Sequence, residues 1–183
     1  MRRWRGMKDV PLTENGERQA ESIGIDLDAV YHDRLKRCVD TASRITANVQ
    51  FVADGPLPWD MGELFEGREI TEDSLHLARY YIQNPHGKPP GGETFHTWRT
   101  RWMGWLQGLE IGHAAVGVVT HNRNIQYLYS LYKGEFHYNM YDVDGPDFCT
   151  VHVYDRGHIA PWGWGHVPKG LYLIRHGETE FGT

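Results

Sequence analysis

Two short apolar runs in this chain end in histidine. "LYLIRHG" delivers Arg175 and His176, and "VGVVTHN" delivers His121 and Asn122. Runs of this kind read as strands buried on both faces, and ligands in sheets of such strands bind beyond the carboxyl ends. One histidine at a strand end is usually structural; two at equivalent ends mark a shared pocket. Two imidazoles alone could ligate a metal, but Arg175 would repel a cation. Arg37 follows another strand, near the start of a helix, where it can join the same pocket. Two arginines with two histidines make an anion site, and the planar guanidinium fork suits phosphate.

The elements that must position these residues can be read from periodicity. Thr13 caps a helix running to about Gly24. "DAVYHD" is a short strand, and Leu35, Val39, Ala42 and Ile45 recur at helical spacing. "VQFVA" is a strand, and the Gly- and Pro-rich stretch 55–68 is a loop. A short helix starts at Thr71 and ends near Gln83, and "NPHGKPPGGE" is a second loop. Phe95, Trp98, Trp102, Trp105, Leu106 and Leu109 form one stripe of a long helix, a core face rather than a substrate wall. "AVGVVT" is a strand, followed by a helix with Ile125, Leu128, Tyr129 and Tyr132 inward. "CTVHVYD" is a strand, "RGHIAPWGWGHVPKG" a connection, and "LYLIR" the last strand. Strands alternating with helices give an α/β fold with a largely parallel sheet and helices on both faces.

At 183 residues and 40% apolar, one domain over 1–183 is expected. A net charge of −5 gives no bulk basic field for nucleic acid, although clustered arginines still act locally on a small anion. Two cysteines far apart, Cys38 and Cys149, fit a reduced, cytoplasmic setting. The basic N-terminus lacks the apolar core of a signal peptide, and no run approaches the roughly 20 apolar residues that cross a bilayer. No nucleic-acid or membrane partner is expected, and monomer and dimer both remain open.

"LIRHGET" resembles the signature of the histidine phosphatase superfamily, also called the phosphoglycerate mutase-like family. "DVPLTENGERQAE", "LKRCVDTA", "PGGET" (Thr94 standing where the family has serine) and "VVTHN" resemble its other segments. The resemblance implies a three-layer α/β/α sandwich and a metal-independent phosphatase with no cofactor, acting on a small phosphorylated substrate. It implies His176 as nucleophile, with Arg175, Arg37 and His121 around the phosphoryl oxygens. A carboxylate must protonate the leaving oxygen. The family's acid-bearing region corresponds to "LPWDMGELFEGR", displaced by about one residue so that Trp59 falls in the acid's slot. Asp60 is the first choice of acid and Glu63 the second. Gly177, Thr179, Arg3, Arg5, Glu63, Glu93 and Asn122 are expected to contact substrate. A mutase and a non-catalytic phospholigand-binding module are the alternatives.

The order of the motifs departs from the family. The RHG strand normally precedes the PLT segment, whereas here it follows everything else. The chain resembles a circular permutant cut in the loop after the catalytic strand. On that reading Met1 and Thr183 lie together at the pocket rim beside His176.

Overall fold

The computed structural model describes residues 2–134, 137–163 and 165–180. Six strands form one mixed sheet: β1 (Ala29–His32), β2 (Val49–Phe51), β3 (Ala115–Thr120), β4 (Val151–Asp155), β5 (His158–Pro161) and β6 (Gly170–Arg175), in the spatial order β2-β1-β3-β6-β4-β5. The first four in that order are parallel, and β4 and β5 are antiparallel to their neighbours. β3 is buried at every residue, which explains its unbroken apolar sequence.

Among the described residues, five α-helices pack on the sheet: α1 (Glu14–Glu21), α2 (Lys36–Ser43), α3 (Glu72–Gln83), α4 (Phe95–Gly108) and α5 (Asn122–Tyr132). Side chains alternate across a strand, so two cores form. Val116, Val118, Leu171 and Leu173 meet Ala78, Trp98, Trp102 and Leu128 of α3, α4 and α5. On the opposite face, Ala115, Val119, Tyr172 and Ile174 meet Ile23, Cys38 and Ala42, beside α1 and within α2. Local chemistry fixes the helix starts. Thr13 accepts from the Gly16 N–H, Thr71 and Ser74 cap each other reciprocally, and Thr94 accepts from the Thr97 N–H. No helix among the described residues is long and apolar enough to cross a membrane.

Two expectations need correction. The connection after β4 contains a strand, β5. Arg156 and Gly157, at φ 49° and 90°, form a tight turn of the sort that returns a strand antiparallel, and Asp155 pairs with His158. Arg-Gly is a weak hairpin signal, and the nearby Gly and Pro residues mask it. Tyr132 does not face inward; it is 51% exposed at the end of α5.

Candidate active site

Register places the two histidines side by side. Thr120 of β3 pairs with Arg175 of β6, so His121 and His176 emerge from adjacent strands one residue further on. The His176 N–H donates to the Thr120 carbonyl, and the two rings lie 5.3 Å apart. Both side chains are buried.

The His176 ring is held in one tautomer. Its Nδ1 lies 2.7 Å from the Gly177 carbonyl oxygen, a contact that requires a hydrogen on Nδ1 and leaves the lone pair on Nε2. Burial, followed by the charges of Arg37, Arg5, His121 and Arg175, pushes its pKa well below the ordinary imidazole value. The ring is therefore neutral at physiological pH, with an unprotonated Nε2.

Three arginines converge on it. Arg37, on the first turn of α2, donates to the carbonyls of Lys8 (2.6 Å) and Gly6 (2.7 Å), pinning the segment that carries Arg5. Arg175 donates to the Pro146 carbonyl and lies 3.9 Å from the Phe148 ring centre. Arg5 reaches the Thr179 hydroxyl at 3.4 Å. Arg37 Nε and Arg175 Nε are buried without a partner among the described residues. Buried donors are normally satisfied, so this corner is built to receive acceptor oxygens. Burial and neighbouring guanidinium groups lower Arg5 and Arg175 to about 9, which still leaves both cationic.

His121 caps α5 and is held by an aspartate that the sequence reading missed. Its Nε2 lies 2.6 Å from Asp33 Oδ2, and its Nδ1 lies 3.4 Å from an Arg37 N–H nitrogen. Asp33 directly follows β1, is fully buried, and also accepts from the Leu35 N–H at 2.9 Å. Burial opposes the charge on Asp33, but the hydrogen bonds from His121 and Leu35 and the nearby Arg37 cation keep its carboxylate below the ordinary range. Burial and the cations Arg37 and Arg5 lower His121 to about 4, against the pull of Asp33. The pair is thus an anionic carboxylate accepting from a neutral imidazole. Asp33, Cys38 and His121 have ligating atoms within 4.8 Å of one another. Arg37 against the same imidazole disfavours a cation there, and burial raises the Cys38 thiol well above its ordinary value, so it is a poor thiolate ligand.

A cavity of about 870 Å³ opens over these groups. Of the expected residues, His176, Arg175, Arg37, His121, Asn122, Arg3 and Arg5 line it. Arg3 also donates to the Gly67 carbonyl at 2.7 Å. Gly177 and Thr179 do not line it; they support it. The Gly177 N–H donates to the Thr41 hydroxyl, and a Cβ at Gly177 would fall 2.6 Å from the Gly16 carbonyl oxygen. Thr179 is buried and bridges to Leu12. The carboxylates Asp60, Glu63 and Glu93 also lie outside the lining. Glu93 is engaged by Arg101 and by the Asp60 N–H, and Glu63 packs on Gly91. Asp60 sits between two lining residues, Trp59 and Met61, and burial together with Glu93 raises its pKa. Trp59 itself is buried, donating to the Glu93 carbonyl. Met1 and Thr183, expected together at the rim, lie outside the described residues. Among the described residues, Arg5 donates to the Thr179 hydroxyl.

A family model of the histidine phosphatase superfamily (branch 1) matches residues 1–161. No curated protein matches the sequence significantly. Among solved structures, a candidate alpha-ribazole-5'-P phosphatase from Escherichia coli shares 22% identity at a TM-score of 0.65, over 92% of this chain and 90% of that one. A mycobacterial glucosyl-3-phosphoglycerate phosphatase shares 17% at 0.62, over 89% and 90%, and has also been solved with inorganic phosphate. The Thermus thermophilus protein TTHB049 shares 26% at 0.57, over 73% and 76%.

Proposed function

Because the chain belongs to the histidine phosphatase superfamily, we propose that it is a metal-independent phosphomonoesterase working through a phosphohistidine on His176, with residues 1–183 as one catalytic domain. The observation that carries this reading is the Nδ1 contact to the Gly177 carbonyl. It leaves one imidazole nitrogen, Nε2, free inside a cavity lined by arginine. Nε2 attacks phosphorus in line: the N–P bond forms as the bond to the leaving oxygen breaks. Arg5, Arg37, Arg175 and His121 hold the non-bridging oxygens, where charge accumulates. The leaving oxygen takes a proton from Asp60, whose raised pKa suits a donor. Water then hydrolyses the N–P bond, returning phosphate and the neutral ring.

The test is rapid quenching with radiolabelled substrate. Acid-labile, base-stable phosphate should map to the peptide containing His176. In Asp60→Asn, phosphoenzyme formation should fall at least about 10-fold further for an alkyl phosphate than for p-nitrophenyl phosphate, whose leaving group needs little protonation. Absence of any phosphoenzyme under single-turnover conditions would sink the nucleophile, and an equal loss on both substrates would remove Asp60 from the acid's role.

We also read the motif order as that of a circular permutant of a phosphoglycerate mutase-like three-layer sandwich. In support, β6 lies between β3 and β4, and the residues after it bond to the segment before α1. The prediction is that a rearranged chain, residues 168–183 followed directly by 1–163, folds and keeps kcat within about threefold, since loop cuts are tolerated where the backbone is exposed. A rearranged chain that is insoluble or unfolded by circular dichroism would contradict it.

A further inference from the structure

Arg5 reaches the phosphate corner from a turn rather than from a strand or helix. Its carbonyl accepts from the Lys8 N–H, and Gly6 inside the turn has φ 50°. The Arg5 side chain meets the Thr179 hydroxyl at 3.4 Å, the long end of the hydrogen-bond range. A guanidinium on a flexible stem is spread over many rotamers unless its surroundings restrict it. Its place over the cavity is therefore set by whatever fixes the turn.

Two side chains bind the backbone of that turn. Arg37 donates to the carbonyls of Gly6 and Lys8, and Glu66 Oε1 accepts from the Met7 N–H at 2.8 Å. Arg37 belongs to the cradle itself. Glu66 does not line the cavity, so it acts on a bound anion through the backbone it holds. The segment that carries Glu66 is fixed against the segment that carries Arg5. The Trp4 N–H donates to the Arg68 carbonyl at 2.9 Å, and the Gly67 N–H donates to the Trp4 carbonyl at 2.7 Å. The buried rings of Trp4 and Phe65 meet edge to face, 5.4 Å between centres. A Cβ at Gly6 would stand 3.0 Å from Glu66 Cγ, so the glycine permits the close approach. Trp4 precedes Arg5 and Phe65 precedes Glu66, and this locked pair delivers the carboxylate to the turn that follows Arg5. A carboxylate accepting from a backbone N–H makes one of the stronger hydrogen bonds open to a loop.

We propose that Glu66 is a positioning residue for Arg5: by holding the Met7 N–H, its carboxylate sets the Arg5 guanidinium against an oxygen of the bound phosphoryl group. This role rests on the anion cradle of the phosphatase reading, but not on turnover. The sign of the effect separates it from simple electrostatics. A carboxylate near an anion site repels the anion, so removing its charge alone tightens binding. Releasing Arg5 weakens it.

The test is titration calorimetry with inorganic phosphate at neutral pH. Glu66→Ala should weaken binding at least about 10-fold, the scale of one lost hydrogen bond to a charged group. Glu66→Gln can still accept from the Met7 N–H, and should bind within about threefold of wild type or more tightly. Glu66→Asp keeps the charge but is one methylene too short, and should weaken binding as alanine does; it carries the test if the alanine protein does not fold. In an Arg5→Met background, Glu66→Ala should change the affinity less than about twofold, because the group it positions is gone. Binding undiminished in both Glu66→Ala and Glu66→Asp overturns the role. So does an equal loss with and without Arg5, which is the mark of a general effect on the fold. Turnover enters none of these measurements, so the phosphatase reading stands or fails separately, in assays of phosphomonoester hydrolysis.

Discussion

Replacing His176 with alanine should lower kcat on p-nitrophenyl phosphate at least about 10,000-fold, the scale seen when a covalent nucleophile is removed from an otherwise intact site. The size follows from what else the site holds. Arg5, Arg37, Arg175 and His121 would still bind phosphate, so ground-state affinity should persist. With no Nε2 to attack, hydrolysis would have to proceed by direct attack of water. The fold should survive. His176 is buried and held neutral against a field of cations, so the ring is not an indispensable charged partner. Circular dichroism and sulfate binding check that point. Addition of EDTA should leave the wild-type rate unchanged. A His176→Ala protein within about 100-fold of wild type would reject the nucleophile. A wild-type protein that binds phosphate yet turns over no phosphomonoester would favour the phospholigand-binding module.

The parts of this site legible in the sequence are those written in strand ends. β3 and β6 announce themselves by apolar runs, and their last residues are the histidines and arginine, so His121, Arg175 and His176 could be placed before any coordinate. Arg37 was legible because it begins an amphipathic helix. The carboxylates were not. Asp60, Glu63 and Glu93 cluster in Gly- and Pro-rich sequence, where chain direction depends on tertiary contacts: Trp59 in the core and Arg101 on Glu93. The same contacts leave Glu63 and Glu93 outside the lining and Asp60 at its border, between Trp59 and Met61. Asp144 and Asp147, on the chain just before β4, stand there instead. Asp33 was missed for another reason. In "DAVYHD" an acid closing a strand reads as a turn residue, and only the β1–β3 pairing brings it to His121. The β5 hairpin escaped because Arg156 adopts a positive φ more often supplied by Asn, Asp or Gly.

Asp33→Asn should cost about 100- to 1000-fold in kcat, the usual effect of losing one preorganised electrostatic contact in a dry site, and should also abolish a proton uptake. In the free protein His121 is neutral at pH 6, because its pKa is lowered to about 4 by burial and by Arg37 and Arg5. A bound dianion offsets those two cations and raises that pKa, so His121 takes a proton on Nδ1. The imidazolium then donates to the ligand from Nδ1 and to Asp33 from Nε2. The sign follows from linkage: a group whose pKa is higher in the complex makes binding tighter as pH falls, here from its raised value in the complex down to about 4, its value in the free protein. Sulfate is the suitable probe because it stays a dianion throughout that range. Titration calorimetry at pH 6, in buffers of differing ionisation enthalpy, should report uptake approaching one proton per site in the wild type. In Asp33→Asn the carboxamide can still accept from the Leu35 N–H, so the loop keeps its shape. The counter-charge is gone, and uptake should fall to near zero. Equal uptake in both proteins would move the proton to His176, and a kcat within about threefold of wild type would reduce Asp33 to a purely structural residue.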